Sequence, residues 1–279
     1  MLAGFTDLLS DAGGRGAAVG AFTAYNLETA SAVLQAAEKR GVGVMLLVSE
    51  QAFRSPGGPA LVAALTAVAE RVRPPCCVQL DHAGDLELMS AALDAGVGAL
   101  MADGSRLPFA DNLALVQSAC ELAASHGAAV EAELGRIEGD EEIAGAVRRG
   151  ALTDPSEATE LVERTGASCL AVSIGNAHGR YSERPALDWP RLEAVVAAVP
   201  VALSLHGASG IPDEDLARAA MRGIRKVNIN TELRERYFDV LAAETADLRE
   251  GARLLALSQA LASALEEVVA AKIAVLEAR

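Results

Sequence analysis

Long apolar runs, paired cysteines, a surplus of basic residues and an internal linker are all missing from this chain, and each absence excludes something. No stretch reaches the roughly eighteen uninterrupted apolar residues of a membrane span. The opening segment, MLAGFTDLLSDAGGRG, has no basic stretch followed by a long apolar one, so no secretory leader is expected there. The four cysteines, Cys76, Cys77, Cys120 and Cys169, show no CxxC spacing, and two are neighbours in an apolar run. They read as buried free thiols in a reducing compartment, and a cytoplasmic protein with no membrane partner is expected. Lysine and arginine are outnumbered 24 to 38 by aspartate and glutamate, giving a net charge of −14. Such a surface repels phosphate backbones, so nucleic acid is excluded as a partner. An anionic small molecule would have to be caught by local devices working against the global field.

What remains is the composition of one large globular domain. Apolar residues make up 51% and charged residues 22% of 279 positions, ample for a core. Short apolar, often β-branched runs alternate with longer Ala/Leu/Glu-rich segments of helical period. The candidate strands are Val19 to Phe22, Val42 to Val48, Cys76 to Asp81, Ala99 to Asp103, Ala129 to Gly135, Cys169 to Ile174, Val201 to His206 and Ile224 to Asn230. Helical stretches lie between them, such as Leu86 to Ala95 before Gly96 and Asn112 to His126 before Gly127, glycines able to take the left-handed C-cap conformation. Eight unbroken βα units predict a single α/β domain over residues 1–279, a (β/α)8 TIM barrel. The last helical region, Arg253 to Arg279, extends its outer ring as an extra C-terminal helix.

Chemistry in such a barrel gathers where the strands end. Strand three closes with Asp81 and His82, strand five carries Glu131 and Glu133, strand six leads into His178, strand seven closes with His206, and strand eight with Asn228 and Asn230. Three of the four histidines thus fall at the mouth, whereas His126 closes a helix, where it complements the dipole. A lone rim histidine is more often a hydrogen-bonded surface residue than a ligand. Three converging imidazoles with an open position describe a catalytic divalent metal site, with zinc as the expected ion. Lys226 shares strand parity with Asn228 and Asn230, and Glu131 with Glu133, so a buried ion pair between these groups is expected.

These residues resemble those of the class II fructose-bisphosphate and tagatose-bisphosphate aldolases over nearly the whole chain. The resemblance is carried by AVGAF near the start, LDH at 80–82, DGSRLPFADN at 103–112, VEAELG at 130–135, AVSIGNAHGRY at 171–181, LHGASGIP at 205–212 and KVNINTEL at 226–233. Each motif alone is modest; seven in order are specific. The resemblance implies zinc held by His82, His178 and His206, a metal-proximal carboxylate at Glu133, and a catalytic acid/base at Asp81. It also aligns Glu141, in the acidic segment 138–142, with a second base. Ser49 is implied as a substrate contact, with Gly179, Gly207, Ser209, Asn228 and Thr231 as the phosphate site. Glycines there let backbone N–H groups approach an anion, and hydroxyls add donors. A second divalent or a monovalent cation is a further possibility, and a homodimer or homotetramer is implied.

The expected reaction is reversible aldol cleavage of a ketose phosphate to dihydroxyacetone phosphate and an aldehyde. Breaking the bond beside a ketone leaves negative charge that a cation must stabilise. A rival mechanism through a lysine imine has only Lys39, Lys226 and Lys272 to draw on, and strand six has none. The chain departs from the family pattern at Thr23 and Ala24, at Ala83, at Arg106, and at its C-terminal end, AKIAVLEAR, which lacks the Gly-Ser-Ala and arginine segment that helps bind a second phosphate. Arg106, Arg136 or Arg180 are candidates to replace it. Other phosphorylated keto sugars, such as tagatose 1,6-bisphosphate or an inositol-pathway sugar phosphate, and a metal-dependent isomerase of sugar phosphates therefore stand as alternatives.

Overall fold

The structure is a computed structural model and describes residues 1–137, 151–179, 181 and 184–277. Eight parallel strands, β1 (Val19–Thr23), β2 (Val44–Ser49), β3 (Cys76–Ala83), β4 (Ala99–Ala102), β5 (Ala129–Leu134), β6 (Cys169–Val172), β7 (Ala202–Leu205) and β8 (Ile224–Ile229), pair in chain order. The ring closes where β1 pairs β8, with Ala21 opposite Asn228. Every expected strand is present, and no end moves by more than two residues.

The helices are α1 (Phe5–Gly14), α2 (Leu27–Arg40), α3 (Glu50–Arg54), α4 (Gly58–Ala69), α5 (Leu86–Ala95), α6 (Phe109–Ala124), α7 (Pro155–Thr165), α8 (Trp189–Ala198), α9 (Asp213–Met221), α10 (Thr231–Glu250) and α11 (Leu254–Leu276). Their ends follow local chemistry. Asn26, Asp85 and Asp154 each turn a side-chain oxygen onto a backbone N–H of the first turn, and Gly41, Gly96 and Gly166 take left-handed C-caps. The region expected as Asn112 to His126 starts earlier and stops at Ala124. There the N–H groups of Ser125, His126 and Gly127 each reach back three residues, so tight turns end the helix before the glycine.

Strand alternation divides the core. On β2, Leu46 and Val48 join the apolar layer between strands and helices, while Met45 and Leu47 fall inside the barrel. The inner cluster combines Val19, Ala21, Cys77, Ala99 and Cys169 with Phe5, Leu8, Leu9 and Ala12 of α1, which plugs the end where the strands begin. Each fully buried Leu or Met contributes about 1.5–3 kcal/mol through burial. All four cysteines are free, and burial pushes the Cys76 thiol up to about 12.

The extra C-terminal helix expected from Arg253 onward is α11, which follows α10, the helix after β8. Among the described residues only α11 is long and apolar enough to cross a membrane by length and composition. Leu265, Val269, Ile273 and Leu276 are nonetheless buried in the layer shared with the barrel.

Candidate active site

The end of β3 is irregular in the place where two adjacent residues are needed on one side. In a regular strand consecutive side chains point to opposite faces. Here the register with β4 shifts between Leu80 and Ala83, and His82 takes a φ of 52°, a left-handed conformation that costs a non-glycine residue about 1–3 kcal/mol. The bulge re-aims the chain. Asp81 keeps the inward parity of Cys77 and Gln79, and His82 still reaches the mouth, where its Nδ1 lies 2.8 Å from Asp103 Oδ2.

The other two rings come from loops that are tied together. Asn176 donates through Nδ2 to the carbonyls of Val172 and His206 and accepts from the Ile174 N–H. Tyr181 Oη accepts from the Ala177 N–H and donates to the Gly207 carbonyl, both at 2.8 Å. Gly207 has a φ of 61°, and a Cβ there would stand 2.1 Å from the Ala177 carbonyl oxygen. Only glycine lets the chain after β7 lie this close to the loop carrying His178.

The three imidazoles meet. Ring centroids are 4.9 Å apart for His82 and His178, 4.9 Å for His82 and His206, and 6.0 Å for His178 and His206. One nitrogen from each lies within 4.8 Å of the others, and His82 Nε2 is 3.0 Å from His206 Nδ1. Tetrahedral zinc with Zn–N bonds of about 2.0–2.1 Å holds its nitrogens about 3.3–3.4 Å apart. The set fits such an ion with little adjustment. The outer nitrogens are held by carboxylates, His82 by Asp103 and His206 Nε2 by Glu131 Oε1 at 2.8 Å, the usual support for metal-ligating histidine. His82, Asp103 and Glu133 form a second group able to hold a cation, sharing one ring with the first.

The charges around the rings are those a cation needs. Burial pulls His82 down, but Asp81 and Asp103 outweigh it and leave its pKa well above the usual value. Burial, with His82 and His206 adding to it, drives His178 far below, which keeps it neutral as a ligand must be. Glu133, buried and beside Asp103, is pushed up to about 8, and its Oε2 has no hydrogen-bond partner. The carboxylates of Asp81, Asp103 and Glu133 around His82 supply the negative potential that a divalent ion between the rings would need.

Beside the rings lies a small cleft lined by His178, Gly179, Gly207, Ser209, Asn228 and Thr231. All the residues expected to bind phosphate are thus gathered. The cleft includes the start of α10, whose N-terminus has no side-chain cap, leaving N–H groups for an anion. Asn228 Nδ2 stands 3.3 Å from both oxygens of Asp81 and from His206 Nδ1. Ser49 closes β2 opposite Asp81 and caps α3 through its hydroxyl. Thr23 Oγ1, Ser209 Oγ and Asn228 Oδ1 are buried without hydrogen-bond partners, an uncommon condition that a bound polar ligand would relieve. Glu141 and Arg180 lie outside the described residues.

Three features of this arrangement exceed the sequence reading. Asp103 sits within a quoted motif, and its position just past the fourth strand was the available signal. Glu131 was expected as an ion-pair partner, and the structure adds its contact with His206. Thr23 was noted only as a departure, although it shares the inward parity of Val19 and Ala21. Lys226 behaves as expected, pairing Glu131 at 2.7 Å with both side chains fully buried; Lys39 pairs Glu266 and Lys272 pairs Asp213.

Comparison with known proteins agrees with this geometry. The class II fructose-bisphosphate aldolase family matches residues 3–279. A Bacillus subtilis (strain 168) protein named as a probable fructose-bisphosphate aldolase is 40% identical over 235 residues, 83% of this chain and 82% of its own length. The crystal structure of the YdjI aldolase from Escherichia coli K12 superposes with a TM-score of 0.89 at 31% identity, covering 99% of this chain and 97% of that one. The fold likeness persists at 19% identity in the fructose-bisphosphate aldolase of Campylobacter jejuni, with a TM-score of 0.83 over 99% of this chain and 95% of that one. The chain belongs to the class II fructose-bisphosphate aldolase family and is a lyase.

Proposed function

We propose that this enzyme carries out zinc-dependent, reversible aldol cleavage of a ketose phosphate, releasing dihydroxyacetone phosphate and an aldehyde. The observation that carries the proposal is the convergence of His82, His178 and His206 within 4.8 Å, beside Asp81 and a cleft suited to phosphate. Zinc bound by the three rings supplies electrostatic stabilisation of the negative charge that develops on the ketone as the carbon–carbon bond breaks. Asp81 takes the proton of the C4 hydroxyl in cleavage and returns it in condensation. Asn228, whose amide faces Asp81, orients that carboxylate. Backbone N–H groups around Gly179 and Gly207, with Ser209 and Thr231, hold the phosphate against the unfavourable net charge. Ser49, opposite Asp81 in register, contacts the sugar. Glu133 would lie beside a metal held by the three rings, and Glu141 handles the C1 proton of dihydroxyacetone phosphate during condensation.

The dihydroxyacetone-phosphate half of the substrate is the half these residues recognise. Arg106, Arg136 or Arg180 face the distal half of the substrate. The enzyme works in the cytoplasm as a homodimer or homotetramer. Incubating it with a panel of ketose mono- and bisphosphates and assaying triose phosphate decides the reaction class. Release of triose phosphate is expected; rearrangement to an aldose without cleavage would assign an isomerase instead. Glu141→Ala is expected to cut turnover while zinc stays bound, and unchanged turnover would remove that residue from the mechanism.

A further inference from the structure

We propose that Glu131 is a positioning residue for the metal centre, holding the His206 ring so that Nδ1 faces the ion and Nε2 faces away. The inference rests on the zinc reading above and concerns the layer beneath it. Glu131 is fully buried on β5. Its Oε1 is 2.8 Å from His206 Nε2 and accepts from Ser204 Oγ at 2.5 Å. Its Oε2 accepts from Lys226 Nζ at 2.7 Å and Gln79 Nε2 at 2.8 Å. Three of these partners are donors supplied by β3, β7 and β8. An ionised carboxylate only accepts hydrogen bonds. The fully buried Lys226 ammonium 2.7 Å away, together with the Ser204 and Gln79 donors, calls for that ionised form here. His206 Nε2 must therefore carry the hydrogen, and the neutral ring keeps its lone pair on Nδ1, the atom 3.0 Å from His82 Nε2.

A structural counter-ion for Lys226 would need none of this. Buried ion pairs are commonly replaceable by apolar side chains of similar volume without loss of stability. Here the same carboxylate that neutralises Lys226 uses its other oxygen on a ring at the metal site. Removing both charges together separates the two roles.

The test measures zinc affinity by chelator competition, and thermal unfolding of the metal-free protein, for wild type and for the double variants E131L/K226M and E131Q/K226M. E131L/K226M is expected to fold with a modestly lowered unfolding temperature, since Ser204 and Gln79 lose their acceptor, yet to bind zinc about 10–100-fold more weakly, the usual cost of losing a histidine's supporting partner. E131Q/K226M, whose amide oxygen still accepts from Nε2, recovers part of that loss. The visible absorption of the cobalt-loaded E131L/K226M protein shifts as the ring loses its fixed orientation. Wild-type zinc affinity and an unchanged cobalt spectrum in a stable E131L/K226M protein would overturn the inference and leave the zinc reading intact. A wild-type protein that binds no zinc would overturn the zinc reading itself. Should the double variants not fold, nitrogen NMR of zinc-loaded wild type decides: Nε2–H with the metal at Nδ1 is expected, and the reverse tautomer contradicts it.

Discussion

The two ends of the barrel interior are built from different materials. Toward the strand starts it is hydrocarbon and thiol, with Val19, Met45, Cys77, Ala99 and Cys169 packed on Phe5, Leu8 and Leu9 of α1. Toward the strand ends it is polar and ionisable, with Asp81, Glu133, His178, His206 and Asn228 almost as deeply buried. Between them the Lys226–Glu131 pair forms the boundary. One end gains stability from burial; the other carries strain at His82 and unpartnered atoms at Thr23, Ser209, Glu133 and Asn228. The difference teaches that the lower half supports an upper half that would be costly to bury without a cation and an anion to complete it.

Substitutions at the two ends should therefore fail in different ways. The largest effect is expected from His178→Ala, which should abolish stoichiometric zinc and lower kcat/KM by about 1,000-fold or more, the worth of several kcal/mol of charge stabilisation. Its unfolding temperature should match that of the metal-free wild type, as metal analysis and calorimetry would show together. Asp81→Asn comes next, lowering kcat by about 100- to 10,000-fold as expected for loss of an acid/base group. Zinc should remain bound, and an activity within tenfold of wild type would remove Asp81 from the chemistry. At the other end, Met45→Ala should cost about 2–5 kcal/mol in denaturant unfolding by opening a cavity. The folded fraction should turn over normally; a large fall in kcat would break the separation between the two ends. The smallest effect is Thr23→Val, which removes one hydroxyl of similar shape and should raise KM by roughly three- to tenfold, about one hydrogen bond. Stability should not fall, because that hydroxyl has no protein partner; an unchanged KM would show that no ligand uses it.

Much of this architecture was legible in the chain because the signals are local. Apolar runs of strand length spaced by helical segments gave all eight strands, and capping residues such as Asp85 and Gly96 marked helix ends. The histidines stood out because three of only four lie where strands end. What could not be read depends on backbone irregularity or on distant partners. The bulge at β3 leaves no residue signature beyond the motif itself, since His82 has to adopt a conformation its type disfavours. The start of the C-terminal helix at Arg253, by contrast, was legible because Gly251 interrupts the helical composition just before it. Parity placed Lys226 and Glu131 on inward faces, but only closure of the barrel shows which carboxylate meets the lysine and that the same group holds His206.

The most direct test of the account is to strip the purified enzyme with a chelator, assay triose phosphate release from a ketose phosphate, and then add zinc back. Activity should vanish with the metal and return in proportion to zinc restored, with no lysine trapped by borohydride. Full activity in metal-free protein, or a borohydride-trapped lysine, would contradict it.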